Sequence, residues 1–496
     1  METEMTQPTP REYSYREFCD FARRFSQVDL LAAIARTALA LPSKALDKRF
    51  RDTPLWCLAA LVKASICHGN AFRTAKPRDR DIRLGCYMYN NLESEDLDQP
   101  DLNSGFGLMV RIAYEQLPPQ MSNFGEITRL DAFFNGYSGR KQLEVITAET
   151  LPELLGAPLM QAVGVAMLLY GSAHANAGIF DPRWMDRPDF AEILRIVSRD
   201  DVLSVIDTVF VNTFEEYRAQ AEIMPQLPFL ERYRVNPLTA RPLIRLPDER
   251  LIAPIPQLIL WKLSPLELYY QGIKRWKEPF TRDMGELLED YVGRQFDALA
   301  DAEVWPEVVY KVGKNEVKSV DWIIVFTNLV LLVEVKATRV PAPARAGDPT
   351  LDNTYIRTLG KAFTQIDRTS RAIADGMPEF AKVPTDRPML GIVATLDPWY
   401  MANSFGRALL PEPEVPTMVA SVREIEALVA IGQRRSASTI LIEVTAKDDE
   451  RRFWELETAL GSYSLPGDRN PLLQDAWQRY PFGHQAQANR AAQGTS

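Results

Sequence analysis

The sequence predicts a mostly α-helical N-terminal domain followed by an α/β domain, in which a mixed central sheet is flanked by helices in the order αβββαβ. Three observations carry this. Through residues 13–223 apolar residues recur at three- and four-residue spacing, as in Leu30, Leu31, Ile34, Ala35 and Ala38, the pattern of amphipathic helices. Residues 319–336, SVDWIIVFTNLVLLVEVK, are two apolar runs meeting at the polar pair Thr327-Asn328, which reads as a β-hairpin. Downstream, helical patterns at 355–375 and 423–431 are interleaved with apolar runs at 389–396, 417–422 and 439–444, read as strands of the same layered domain.

At 496 residues the chain is too long for a single core and suggests two or three domains. Its composition, 46% hydrophobic and 25% charged, is that of a globular protein. A net charge of −9 excludes a wholly basic nucleic-acid binder, so any contact with DNA must come from a local basic patch. The four cysteines, Cys19, Cys57, Cys67 and Cys86, lack paired C-x-x-C spacing, and with His68 they fit no common zinc motif. Buried free thiols are expected. Residues 1–11 are polar, and the longest apolar window, 157–170, is too short to span a bilayer. A reduced cytoplasmic location without membrane contact is expected.

After a leader at 1–10, helices are expected at 18–41, 54–66, 105–114, 127–134, 151–170, 190–196 and 202–223, separated by polar breaks such as 75–83 and 93–104. No solenoid-period repeat is visible. This domain, 1–235, holds no chemical constellation: His68 and His174 are solitary, and the mixed charges of 76–83 suit a solvated loop. Sensing, oligomerisation and substrate delivery all remain open for it. Dense prolines at 235–260 and short alternating runs flanking Pro247-Asp248-Glu249 indicate another hairpin. With a helix at 265–276 it forms an expected connector over 236–276.

The α/β domain is expected to span 277–470, with a partly disordered tail over 471–496, polar and Ala/Gly-rich from about Gln485. It opens with an amphipathic helix at 281–299, whose Met284, Leu288, Tyr291, Val292, Gln295 and Leu299 share a face, with Glu289 at its edge and Glu286 turned to solvent. A first strand is expected at 304–312, ahead of the hairpin. The Pro/Ala/Gly-rich segment 340–352 reads as a mobile flap. Helix 355–375 places Arg357, Lys361, Arg368 and Arg371 in one stripe opposite Leu359, Phe363, Ile366 and Ile373, with Gln365 between the faces. Such a stripe suits a phosphate backbone. The strand at 439–444 and a helix at 449–462 close the domain.

The hairpin carries the chemistry. A turn centred between Thr327 and Asn328 sets Asp321 opposite Glu334, and period-2 alternation puts Lys336 on the same face. Facing carboxylates repel and destabilise a sheet. Two carboxylates with water and substrate phosphate are what Mg²⁺ accepts, so a divalent cation is the natural counterweight. The hairpin is otherwise apolar on both faces, as in strands buried on both sides.

Asp321 followed by Glu334-Val335-Lys336 resembles the D…(D/E)-x-K signature of the PD-(D/E)XK nuclease superfamily, with Val320 where the motif's name has Pro. The resemblance covers roughly residues 277–445. It implies a restriction-endonuclease-like α/β fold and Mg²⁺-dependent hydrolysis, Mn²⁺ being possible. Asp321, Glu334 and the backbone carbonyl of Val335 would hold the metal, and Lys336 would orient or deprotonate the attacking water. The superfamily often adds an acid from the helix before the first core strand, for which Glu289 in Gly285-Glu286-Leu287-Leu288-Glu289 is the candidate, and a Gln or Lys from the following helix, here Gln365. The expected substrate is DNA, double-stranded for preference, contacted by Arg357, Lys361, Arg368 and Arg371. By analogy the chain would be an endonuclease of restriction or anti-phage defence, acting as a homo-oligomer or with a defence partner, with repair as the runner-up role. A catalytically silent binding protein and an RNA-directed nuclease are the alternatives.

Overall fold

A computed structural model describes residues 11–41, 52–93, 105–116, 123–139, 141–223 and 236–480. The leader at 1–10, residues 94–104 of the second polar break and the stretch from Gln485 lie outside these. The chain divides into two compact units. The first is drawn from Met1–Asn103, Glu115–Asn123 and Pro152–Leu263, the second from Ser104–Tyr114, Phe124–Leu151 and Ser264–Ser496.

The first unit is mainly helical, with Tyr15–Ala22, Gln27–Leu39, Leu55–His68, Asp79–Asn90, Leu159–Ala175 and Phe214–Ile223 among its helices. The single helix expected over 18–41 is two, because Ser26 caps the second by accepting the Asp29 N–H at 3.3 Å. The helix expected over 202–223 is likewise interrupted, by the short strand Val211–Asn212. That strand joins Ile179–Phe180, Leu243–Arg245 and Leu251–Ile252 in a four-stranded sheet. The hairpin expected around Pro247 is present, with Ile244 opposite Ile252, yet it completes the sheet of this unit instead of acting as a free connector. The apolar stretch 152–175 has the length and hydropathy of a membrane span and is 56% buried. It breaks after Leu155, at Gly156 (φ 79°). The helix that remains, Leu159–Ala175, has 17 residues and spans about 25 Å, short of a bilayer core.

The second unit is a mixed α/β layer structure. Helix α1 (Pro265–Asp297) is two helices joined at Lys277, whose backbone is left-handed in φ (53°), so the expected helices at 265–276 and 281–299 meet at a sharp break. Strands follow: β1 (Glu303–Pro306), β2 (Val309–Val312), β3 (Asn315–Lys318), β4 (Trp322–Val325) and β5 (Val330–Lys336). After helix α2 (Lys361–Ala374) come β6 (Met389–Thr395), β7 (Thr417–Ser421) and helix α3 (Val422–Gly432). The central sheet has the order β7-β6-β5-β4-β1. β1, β4 and β5 pair antiparallel, and β5, β6 and β7 pair parallel. A right-handed crossover through α2 is what the parallel step from β5 to β6 requires.

The register of β4 against β5 is the one read from the turn: Trp322 faces Val333 and Val325 faces Val330. Ile323, Val325, Val330 and Leu332 pack on Leu359, Phe363, Ile366 and Ile373 beneath α2. Ile324, Leu331 and Val333 are also fully buried. On α1, Gly293 lets Trp322 in, since a Cβ there would stand 2.4 Å from the indole ring, and the Trp322 indole N–H donates to the Glu289 carbonyl at 2.8 Å. Gly293→Ala should therefore cost about 1–3 kcal/mol of overpacking strain, read as a lowered midpoint in urea. An unchanged midpoint would show that the helix yields freely.

Several expected elements differ. The strand expected over 304–312 is broken, because Pro306 has no N–H to extend the ladder and Val308 turns to exchange hydrogen bonds with Ser319 (both 2.9 Å). β2 and β3 form a separate two-stranded ribbon. The strand expected at 439–444 is a helix, Ala437–Val444, capped by Ser436; a six-residue run with five apolar or β-branched residues does not fix a period by itself. The helix expected at 449–462 is reduced to a 3-10 turn, Glu450–Phe453, and a short helix, Leu456–Leu460. The segment 340–352 is not an open flap: it contains helix Ala342–Arg345, begins helix Thr350–Tyr355 and buries Val340 and Leu351. The tail expected from 471 starts with helix Pro471–Arg479, anchored by Asn470 Nδ2 on Gln295 Oε1 (2.6 Å) and by Arg479 on Asp131.

Two segments from the N-terminal half pack in the second unit. Arg129 lies between Glu126 and Glu426 (2.6 and 2.5 Å), and Tyr291 donates to Glu426 at 2.7 Å. Buried Asp283 accepts the N–H groups of Glu144, Val145 and Ile146 at 2.7–2.9 Å.

Candidate active site

Where β4 begins, Asp321 sits one residue beyond the last paired position and turns its carboxylate to the neighbouring strand. Its Oδ2 accepts the N–H of Val335 at 2.7 Å. That bond fixes Asp321 beside Glu334, which β5 holds 2% exposed. Lys336, two residues along the same strand and a quarter exposed, donates to Glu334 Oε1 at 2.5 Å. The other oxygen, Glu334 Oε2, is buried and has no hydrogen-bond partner.

The electrostatics follow from this crowding. Burial, then the charge of Asp321, push the Glu334 carboxyl up to about 8, with Lys336 opposing. Burial also raises Asp321, against the Val335 N–H and Lys336. The two behave as one unit that keeps a proton where separate carboxyls would have lost it. Glu289 comes to the same place from α1: burial and then Asp321 raise it to about 7, while Lys141 lowers it.

One contributor was not foreseen. Glu307, at the break between β1 and β2, adds its charge to Glu289, Asp321 and Glu334 alike, and is held by Lys318 Nζ at 2.9 Å. In an unbroken strand it would be an ordinary alternating position; Pro306 immediately before it was the available signal.

The remaining candidates are placed differently. Gln365 donates to the Ser319 carbonyl at 2.8 Å, and Thr369 Oγ1 accepts the Val320 N–H at 3.1 Å. Both hold the chain entering Asp321, so Gln365 is a positioning residue and not one laid on the carboxylates. Arg357, Lys361 and Arg371 are exposed along the α2 side of the unit, Arg371 paired with Glu414 at 3.2 Å. Arg368 is half-buried and donates to the Lys318 carbonyl at 3.0 Å. The stripe exists, with two of its four cations engaged by the protein.

No protein-family model, curated protein or solved structure matches this chain. What the site can do follows from its own residues. Among the described residues no three His, Cys, Asp or Glu side chains close into a ready ligand cage. The Asp321–Glu334 pair nonetheless fits a hard divalent cation: it offers adjoining carboxylate oxygens, one of them buried and orphaned, whose repulsion the Lys336 ammonium offsets only in part. The backbone carbonyl of Val335, water and a substrate phosphate would complete the oxygen shell.

Proposed function

We propose that the second unit is a metal-dependent phosphodiesterase of the PD-(D/E)XK type, an endonuclease acting on DNA. The observation that carries this reading is the Asp321 carboxylate seated on the Val335 N–H, which sets the half-buried Asp321, the buried Glu334 and the Lys336 ammonium on one sheet end. The order around it supports the same reading: an acid-bearing helix, three antiparallel strands, a helix and a parallel strand. Asp321, Glu334 and the Val335 carbonyl would hold Mg²⁺ or Mn²⁺, which when bound supplies a Lewis acid for a phosphoryl oxygen. Lys336 presents a positive charge to the phosphate and orients water beside it. Glu289, titrating near neutrality, is suited to exchange a proton with that water. Gln365 and Thr369 keep Asp321 in register.

The test is incubation of the purified chain with plasmid, linear duplex, single-stranded DNA and RNA under Mg²⁺ or Mn²⁺. Cation-dependent scission of DNA is expected, lost in Glu334→Ala and on EDTA addition. Cleavage that persists in both would assign the activity to something else.

A further inference from the structure

We propose that the β2–β3 ribbon docks in the major groove of duplex DNA and thereby makes a B-form duplex the substrate of the adjoining site. This rests on the phosphodiesterase reading and deepens it. The ribbon is inserted between the first and second core strands, three residues before Asp321 at its closer end. Its base is clamped: Ser319 and Val308 exchange hydrogen bonds, Arg368 donates to the Lys318 carbonyl, and Tyr310 is buried edge-on against Phe380, ring centroids 5.1 Å apart.

Beyond that base it reaches into solvent. Each strand has four residues, a projection of roughly 10–13 Å at the rise of extended chain. The turn is Gly313-Lys314, with Val312 paired to Asn315 and Gly313 at φ 63°, the two-residue hairpin that has Gly first. Lys311, Lys314 and Lys318 outnumber Glu307 and Glu316; Lys318 is paired with Glu307 at the base and Lys311 stands opposite Glu316, so the excess positive charge is carried out to the exposed tip at Lys314, on a chain of net charge −9. Val309 and Val312 are 52% and 50% exposed, apolar groups held in water on a paired projection.

A two-stranded ribbon fits the B-form major groove, about 12 Å wide, where lysines meet phosphates and guanine edges and apolar side chains meet thymine methyls. The A-form groove of duplex RNA is too deep and narrow for it. The ribbon therefore separates DNA from RNA, which the carboxylate site, having the same chemistry for both, does not.

The experiment is fluorescence anisotropy in EDTA, so that nothing is cleaved, with a DNA duplex and an RNA duplex of the same sequence over a range of KCl. Lys311→Ala/Lys314→Ala is compared with the wild type and with Lys311→Arg/Lys314→Arg. The wild type should bind DNA at least tenfold more tightly than RNA. The alanine pair should lower the slope of log K against log salt by about 2, near 0.9 per lost phosphate contact, and remove the preference; the arginine pair should keep both. An unchanged slope in the alanine pair, or equal binding of RNA by the wild type, overturns the ribbon assignment and leaves the phosphodiesterase reading standing. A wild type that binds neither duplex and cleaves no nucleic acid overturns both.

Discussion

Lys336→Ala is expected to lower kcat for phosphodiester cleavage by about 10²–10⁴-fold, the range for removing a group that handles a proton or developing charge, with KM little changed. The loss should fall on kcat because the Lys336 ammonium is held by Glu334 Oε1 at the end of β5, within the carboxylate site itself and not on a surface that would grip the rest of the duplex. The fold should survive, since the side chain is 24% exposed and the strand is held by ladders on both sides. Lys336→Arg should recover charge stabilisation but only part of the rate, a planar guanidinium being unable to place its charge where the compact ammonium does. Single-turnover cleavage with each variant reads this out. Full activity in Lys336→Ala would end the assignment.

In metal-free protein, stability is expected to fall as pH rises from about 4.5 to 8, and Glu334→Gln should remove the share of that fall that belongs to Glu334, while Glu289, raised to about 7, keeps its own. The Glu334 carboxyl is raised by folding from 4.5 to about 8. A group whose folded pKa is raised contributes stability that is fully present below its unfolded pKa and is lost as pH climbs through the folded one. The slope reaches about 1.4 kcal/mol per pH unit for one proton, so the cost by pH 8 is on the order of a few kcal/mol. The amide keeps the size and the Lys336 contact while carrying no charge, and at pH 8 it should be the more stable protein. Urea midpoints at pH 5 and 8 in EDTA measure it. Equal pH dependence in the two proteins would mean that the Glu334 carboxylate is already compensated.

The hairpin was legible because several constraints coincide in few residues. Two-sided burial, a polar Thr327-Asn328 turn and charges only at the ends leave one register, and a slip by one residue would turn every side chain over. Glu289 was legible from the apolar stripe of α1, whose edge it occupies. Glu307 was not: its role comes from the break at Pro306, and the pairing of Val308 with Ser319 is a tertiary choice invisible in local alternation. Residues 437–444 misled for a related reason, since Ile440, Leu441 and Val444 suit a strand as well as a buried helix until Ser436 is seen to cap it. Nor could periodicity tell which core a helix joins. The stripe of 123–134 reads alike in either unit; the Arg129–Glu426 contact, between residues far apart in sequence, decides it.

Everything proposed for the second unit stands on Asp321 and Glu334 forming a cation site. The direct measurement is the thermal midpoint of the wild type and of Asp321→Asn/Glu334→Gln, titrated with Mn²⁺ and Mg²⁺ in the absence of nucleic acid. Cation at a hundred times its Kd should stabilise the wild type by about 2.7 kcal/mol, a saturable rise in midpoint, and should leave the double variant where it was. A wild type that shows no saturable rise, or a variant that rises equally, would contradict the site.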